Sequence, residues 1–290
     1  MYRKYLERVR EKGSRIHFFV IMRILITGAA GSIGSELVRQ LYKNNKLYLL
    51  DLNEMGLHEL ITELKIPGRV GDIRNRDTLR NVFDDFRPQT VFHAAACKSV
   101  DMMEYSPYEA ISTNVVGTLN MLEYSKIYEV DKFVYVSTDK VVNAKSIMGK
   151  TKSLGETMAV NSGKGYVAVR FGNVLGSRGS LIQIWERQIN QGKPLTITDP
   201  KMMRYFMTIP EAVGLLLEAA RIGEGGEVIC FEMGRPVSIL SLAQGIIEKL
   251  GRDIPIEVIG NRGGEMLEEK LMTLEEESRA IKKGKFYIIK

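Results

Sequence analysis

The chain is expected to fold as an α/β protein: a doubly wound parallel sheet with a smaller α/β domain after it. Three observations carry this expectation. Short segments that are apolar throughout recur between residues 23 and 171, amphipathic stretches separate them, and a glycine-rich turn joins the first segment to the first helix. Strands covered on both faces read as continuous apolar runs, and parallel pairing needs a helical crossover between strands.

In chain order, 23–27 reads as a buried strand, 32–43 as a helix and 47–51 as a strand. Residues 54–64 are helical, 70–72 a short strand, 76–86 a helix and 90–93 a strand. A helix is expected from about 108 to 128, a strand at 132–137, a helix from about 149 to 162 and a strand at 166–171. After Gly172, glycine, proline and polar residues break the chain into shorter pieces through Pro210. Helices at about 210–220 and 241–250 then flank a strand at 227–232.

Composition narrows the classes. The 290 residues are 44% apolar and 26% charged, an ordinary globular balance. Cys97 and Cys230 stand apart with no CxxC spacing, which suggests a reducing, cytoplasmic setting and no disulfide scaffold. The histidines His17, His58 and His93 are scattered, so no metal site is expected. Residues 1–21 hold six Lys/Arg against Glu7 and Glu11, a net of +4, so the rest of the chain carries only +2 of the formal +6. The basicity belongs to a tail, and no nucleic-acid face is expected on the body. No run of apolar residues is long enough for a membrane span, and 16–26 lacks a small-residue cleavage site.

In that tail Tyr2, Tyr5, Leu6 and Val9 fall on one helical face. The helix can pack on the body or a partner subunit, lie weakly on a membrane surface, or be an extension ahead of a start at Met22. Packing is the favoured reading.

The turn Thr27-Gly28-Ala29-Ala30-Gly31-Ser32-Ile33-Gly34 follows the first strand and opens the first helix. Its glycines allow a tight turn, close approach to a pyrophosphate and close helix packing. The helix N-terminus offers unpaired N–H groups to the phosphates. Asp51 ends the second strand, 23 residues after Gly28. A carboxylate there accepts from the adenosine ribose and repels a 2′-phosphate, which favours NAD. Asp72 and Ile73 are candidate adenine contacts. Ala94, Ala95 and Ala96 are small enough for close approach to the cofactor, or they are simply core. The expected organisation is therefore an extension at 1–21, an NAD-binding Rossmann-type domain at 22–172, and a mainly substrate-binding domain at 173–290, whose strand near 227–232 can return to the core.

Ligands of open α/β sheets sit beyond the carboxyl ends of the strands. Ser137-Thr138-Asp139-Lys140 lies at such an end, and Lys152 shares a helical face with Met148. An alcohol, a carboxyl and two amines can thus converge near a nicotinamide. A lysine beside that cation should have a lowered pKa and act as a base, and a partly buried Asp can stay protonated as an acid. The alternative is a surface ion pair of Asp139 with Lys140.

Taken together, several motifs resemble the extended short-chain dehydrogenases/reductases. They are Gly28-Ala29-Ala30-Gly31-Ser32-Ile33-Gly34, Ser137-Thr138-Asp139-Lys140 with Lys152, and the run from Arg170 to Gly179. Met203-Arg204-Tyr205-Phe206-Met207-Thr208-Ile209 and Arg262-Gly263-Gly264-Glu265 extend the likeness over about residues 22–275. More narrowly the chain looks like the CapD-like nucleotide-sugar 4,6-dehydratases of polysaccharide biosynthesis. That resemblance implies a tightly held NAD that takes hydride from C4 of a UDP-N-acetylhexosamine, followed by loss of water from C5 and C6 and return of hydride to C6. Carried over by position, Thr138 holds the C4 hydroxyl, Asp139 is the acid, Lys140 the base, and Lys152 binds the nicotinamide ribose. Lys98, Asn173, Arg178, Arg204, Arg262 and Glu265 become candidate contacts to sugar or diphosphate. A homo-oligomer, dimer or larger, pairing through two helices per subunit, is also implied.

Three departures stand out. Met148 occupies the position of the usual Tyr base and cannot accept a proton, so the acceptor for the C4 hydroxyl is left to Thr138, water or Lys152. Gly263 and Met266 replace a Pro and a Lys, and Cys97 and Ser99 replace a Tyr and a His around Lys98. The larger relatives carry membrane spans ahead of the catalytic part. Competing readings are a nucleotide-sugar 4-epimerase or reductase, and a catalytically silent NAD- or nucleotide-sugar-binding protein; turnover separates them.

Overall fold

The computed structural model describes residues 21–261 and 263–290. The expected N-terminal helix and Arg262 lie outside the described residues. The first half alternates as read: β1 (Arg23–Thr27), α1 (Ser32–Leu41), β2 (Lys46–Asp51), α2 (Glu54–Leu64), β3 (Gly68–Val70), α3 (Arg76–Phe86) and β4 (Thr90–His93). Then come α4 (Val100–Tyr105), α5 (Pro107–Ile111), a π-helical turn (Ser112–Gly117), α6 (Thr118–Ile127), β5 (Lys132–Val136), a 3₁₀ turn (Asp139–Val141), α7 (Ile147–Val160) and β6 (Tyr166–Arg170).

The second half is finer-grained. It runs β7 (Asn173–Leu175), α8 (Leu181–Asn190), β8 (Leu195–Ile197), β9 (Met203–Arg204), β10 (Phe206–Thr208), α9 (Ile209–Ile222) and β11 (Glu227–Phe231). It closes with β12 (Val237–Ser238), α10 (Ile239–Leu250), β13 (Ile256–Val258), α11 (Leu274–Arg279), β14 (Ile281–Lys283) and β15 (Phe286–Ile289).

The main sheet has the order β3-β2-β1-β4-β5-β6-β11-β15-β14. Strands β3 to β11 in that order run parallel, and the β15–β14 hairpin adds antiparallel strands at one edge. This is the expected Rossmann-type architecture. Side-chain alternation feeds both faces. Ile24 and Ile26 of β1 pack with Leu37 and Val38 of α1 and with α9, whereas Leu25 packs with Val82 and Phe83 of α3 and Met121 of α6. A separate, smaller cluster around Trp185, Leu195, Ile197, Met202 and Ile239 supports the second body.

Four local readings change. The first helix ends at Leu41 rather than 43. The third strand occupies Gly68–Val70 rather than 70–72, because Asp72 turns the chain: its carbonyl accepts from Asn75 N at 3.0 Å and its carboxylate from Arg74 N at 2.8 Å. The helix expected at 108–128 is interrupted by the π turn, where buried Asn114 reaches back to the segment after β4. The helix after β5 begins at Ile147, because the Ser146 side chain caps it by accepting from Gly149 N at 3.0 Å. The strand near 227–232 lies beside β6 in the main sheet, and the β14–β15 hairpin joins it there, so residues after 172 build part of both bodies.

One buried charge cluster ties the halves. Arg170, at the end of β6, is 5% exposed. It meets Glu156 of α7 (Nε–Oε2 2.9 Å) and Glu276 of α11 (Nη2–Oε1 2.8 Å). Glu156 also accepts from Ser137 Oγ at 2.5 Å. Removing one partner of such a pair strands a buried charge. Arg170→Met is expected to cost about 3–5 kcal/mol, read by urea unfolding; a loss under about 1 kcal/mol would mean the cluster behaves like a surface pair.

Candidate active site

The turn between β1 and α1 leaves no room for side chains. Gly28 has φ +66°, and a Cβ there would lie 2.6 Å from Ala95 N and 2.7 Å from Ala94 C. A Cβ on Gly34 would overlap the Gly28 carbonyl oxygen and sit 2.8 Å from Ala29 Cα. The backbone at Ala94 and Ala95 thus presses on the glycine turn directly, with Ala96 following along the same cavity wall. Asp51 fixes the turn from the other side: Oδ2 accepts from Ala30 N and Oδ1 from Asn53 N, both at 2.8 Å. Each oxygen keeps a second lone pair that can accept from a ribose hydroxyl. Gly31, Ser32 and Ile33 open α1 at the same place. A turn packed backbone against backbone at the start of α1, closed by a carboxylate, fits a dinucleotide lacking a 2′-phosphate.

Asp72 and Ile73 also line this end. Asp72 is ion-paired with Arg74 (Nε–Oδ2 2.7 Å), and although burial pushes its carboxyl up, the Arg74 contacts hold it below its ordinary value. Ile73 is buried under Gly117 of the π turn.

A cavity of about 740 Å³ runs from the glycine turn to the carboxyl end of β5. Thr138, Lys140, Met148 and Lys152 line its far end. Lys152 is 5% exposed, donates to the Val136 carbonyl at 2.6 Å, and lies 4.0 Å from the Tyr135 ring centroid. Burial lowers its pKa to about 7, against an opposing pull from Glu156. Met148 is 2% exposed and brings no proton-accepting atom.

Asp139 and Lys140 are no surface pair. Asp139 is fully buried just behind the cavity wall, and its Oδ1 accepts from Thr138 Oγ1 at 2.9 Å and from Lys140 Nζ at 3.0 Å. Its Oδ2 is buried and finds no donor while Glu269 is ionised, but the Glu269 carboxyl, when protonated, can donate to Asp139. Lys140 Nζ also reaches Asn173 Oδ1 (3.3 Å) and Glu269 Oε2 (3.0 Å). Their charges differ from the expected neutral acid and neutral base. Burial favours the uncharged forms, but the Lys140 charge outweighs it at Asp139, and the two carboxylates outweigh it at Lys140. The pair therefore rests as an ion pair.

The second half supplies the opposite wall. Lys98 Nζ donates to the Arg178 carbonyl at 2.6 Å, and Arg178 N to Ser32 Oγ at 3.0 Å, so the loop after β7 lies across the glycine turn. Arg204 lines the cavity but aims Nη1 at the carbonyls of Met203 (2.8 Å) and Leu267 (3.1 Å). Its Nη2 is 3.8 Å from Glu265 and its Nε 3.6 Å from Glu269. Arg204 thus anchors the 265–269 segment, with Glu265 on the cavity wall. The sequence reading missed Glu269, Asn114 and His93. Glu269 sits in a run with Glu268 and no spacing distinguishes it. Asn114 accepts from Cys97 N at 2.8 Å and donates to Thr151 Oγ1 at 3.1 Å, holding the wall by Lys98. His93 bridges Thr27 and Thr118, and burial, helped by the Lys152 charge, lowers its pKa to about 3.

Residues 24–290 match the family described as polysaccharide biosynthesis protein. The chain belongs to that family. Among family relatives, capsular polysaccharide biosynthesis protein CapD from Staphylococcus aureus is 46% identical over 271 residues, which is 87% of this chain and 45% of CapD. The chain thus spans about half the length of that relative. Two solved structures share the fold. Pen from Bacillus thuringiensis superposes with a TM-score of 0.88 at 33% identity, over 94% of this chain and 89% of Pen. Thermus thermophilus UDP-glucose 4-epimerase, in complex with NAD, gives 0.75 at 25% identity, over 88% of this chain and 91% of the epimerase. The resemblance to extended short-chain dehydrogenases/reductases holds for family and fold.

The lowered Lys152 pKa has a defined sign: the amine is neutral above about pH 7 and charged below it. In protein labelled with ¹³C at lysine Cε, one resonance should titrate near that pH and vanish in Lys152→Arg. Lysines that all stay charged past pH 9, about one unit below the ordinary value, would refute the assignment.

Proposed function

We propose that the chain is an NAD-dependent hydro-lyase that converts a UDP-N-acetylhexosamine, UDP-N-acetylglucosamine first, into a 4-keto-6-deoxy sugar nucleotide for polysaccharide synthesis. The observation that carries this reading is the buried Asp139–Lys140 pair at the carboxyl end of β5. Its Lys140 member lines the same cavity as the glycine turn, and Asp139 lies directly behind that wall. Simple oxidation and reduction at C4 need no acid and base beside each other; removing water does.

Gly28, Gly31 and Gly34 would hold the NAD diphosphate against the start of α1, with Asp51 on the adenosine ribose and Lys152 on the nicotinamide ribose. Bound there, NAD supplies a hydride acceptor that later returns the hydride. Thr138 orients the C4 hydroxyl. Transfer of one proton from Lys140 to Asp139, across 3.0 Å, turns the ion pair into a free amine and a carboxylic acid. The amine takes the C5 proton, and the acid protonates the departing C6 hydroxyl through Thr138 Oγ1, which lies between Asp139 and the cavity, so the pair ends as it began. Such general acid–base steps contribute about 10²–10⁴-fold. Lys98, Asn173 and Arg178, with Arg262, are read as sugar and diphosphate contacts. A 4-epimerase is the second reading, favoured by the likeness to the Thermus epimerase.

We also read the protein as a cytoplasmic homo-oligomer. The free cysteines Cys97 and Cys230 support the compartment. Among the described residues no helix is long and apolar enough to cross a membrane. Exposed Tyr105, Tyr108, Val116, Leu119, Ile127 and Leu154 on α4–α7 support a covered face. Light scattering should report a dimer or larger; a monomer at micromolar concentration would exclude the pairing.

The decisive assay is incubation with UDP-N-acetylglucosamine, with mass spectrometry of the product. Loss of one water without net NAD consumption is expected, slowed about 10²-fold or more in Asp139→Asn. An epimer of unchanged mass would establish the second reading. Untouched substrate would point to another sugar or to a silent binding protein.

A further inference from the structure

Oxidising an alcohol releases two things, a hydride and a proton. In the usual short-chain dehydrogenase pattern a tyrosine receives the proton. Here Met148 stands in that place, and its thioether has no basic oxygen. Some other group must hold the C4 hydroxyl's proton until the hydride returns.

A chain of short contacts leads away from the cavity. Thr138 lines the cavity and its Oγ1 is 2.9 Å from Asp139 Oδ1. That oxygen is 3.0 Å from Lys140 Nζ, which is 3.0 Å from Glu269 Oε2. Glu269 is 4% exposed and lies deep in the second half. We propose that Glu269 is the proton store of this enzyme: it receives the C4 hydroxyl's proton through Thr138, Asp139 and Lys140, in place of the absent phenol. The inference rests on the oxidation at C4 proposed above, though not on whether water is then lost.

The step balances. The C4–H bond would break, with bound NAD as the acceptor of its hydride. The C4 O–H bond breaks as well. Its proton goes to Thr138 Oγ1, the Thr138 proton to Asp139, and that one to Lys140 as Lys140 releases one to Glu269 Oε2. Thr138, Asp139 and Lys140 end with the protons they began with, and Glu269 has gained one. When the hydride returns to C6, C4 stays a ketone, so the stored proton passes from Glu269 to Lys140 as Lys140 gives one to C5; in an epimerase the full relay runs back to the C4 oxygen instead.

The surroundings suit a store. Asp139 and Lys140 face Glu269 from the turn after β5, Arg204 from β9, and the neutral Asn173 from β7. Lys145 lines the same small cavity, of about 100 Å³, together with Glu265 and Glu269; Glu268 is adjacent in sequence. Burial and the Asp139 charge raise the Glu269 carboxyl, Lys140 and Arg204 lower it, and it settles at about 7. Asp139 is held ionised and Lys140 protonated. Of the three, Glu269 is the one able to change charge near neutrality.

The test uses the NAD-loaded protein and UDP-N-acetylglucosamine in single-turnover stopped flow, following reduced nicotinamide across pH. The wild-type rate should fall below about pH 7, where Glu269 is already protonated. Glu269→Gln should slow nicotinamide reduction about 10²-fold well above pH 7, where Lys152 is neutral in both proteins, with NAD content and substrate affinity unchanged. A rate there within about threefold of wild type, below the range expected of a proton acceptor, would overturn the proposal. A second measurement needs neither variant nor turnover. ¹³C NMR of glutamate-labelled protein should show one carboxyl titrating near 7, and an ordinary value at Glu269 would overturn it as well. Product identity tests the dehydratase reading separately, because an epimerase releases the same proton. If no nicotinamide is reduced in wild type, the substrate reading fails and the carboxyl titration alone decides for or against Glu269.

Discussion

Parallel strands must all stop at the same edge of their sheet, and this constraint organises everything chemical in the protein. β1 delivers the glycine turn there, β2 delivers Asp51, β4 the Ala94–Ala96 segment, β5 the Thr138–Lys140 turn and β6 the strand end from which β7 departs. None of these groups is near another in sequence. The common edge is what sets a phosphate cradle, a buried ion pair and a cavity wall side by side.

Bringing charges to this edge has a cost, and the second half of the chain meets it. Lys140 and Arg170 each reach the first-half side of the edge with one local carboxylate, Asp139 and Glu156. The remaining compensation comes from Glu269 and Glu276, more than a hundred residues later. Without them, buried Lys140 and Arg170 would each keep donors with no acceptor, and an unsatisfied buried donor is costly. The residues after 172 are therefore part of the electrostatic solution as well as a wall for ligand.

Much of this was legible in the sequence for a physical reason. Apolar runs of strand length and a glycine turn between strand and helix are local signals, and they located β1, β2, β4, β5 and β6 along with Asp51, Thr138, Asp139, Lys140 and Lys152. The third strand slipped because Asp72, read as its last residue, forms the turn after it. The π turn was invisible because its stabilising contact, Asn114 to Cys97, joins distant segments. Glu269 was missed for the same reason: its environment is made by Lys140 and Arg204, and its own neighbours in sequence are merely acidic. The resting charges of Asp139 and Lys140 were also beyond reach, since they depend on which groups burial brings within 3 Å.

The long sequence reach of the Lys140–Glu269 and Arg170–Glu276 contacts has a bearing on biogenesis. A chain emerges in order, and early segments fold before late ones are made. β1 to β6, with the glycine turn and Asp51, are made while residues 265–289 are still unsynthesised. During that interval Lys140 and Arg170 lack Glu269 and Glu276, and β11 lacks the β15 strand beside it. The buried contacts of this edge can therefore close only after the last residues of the chain have been made.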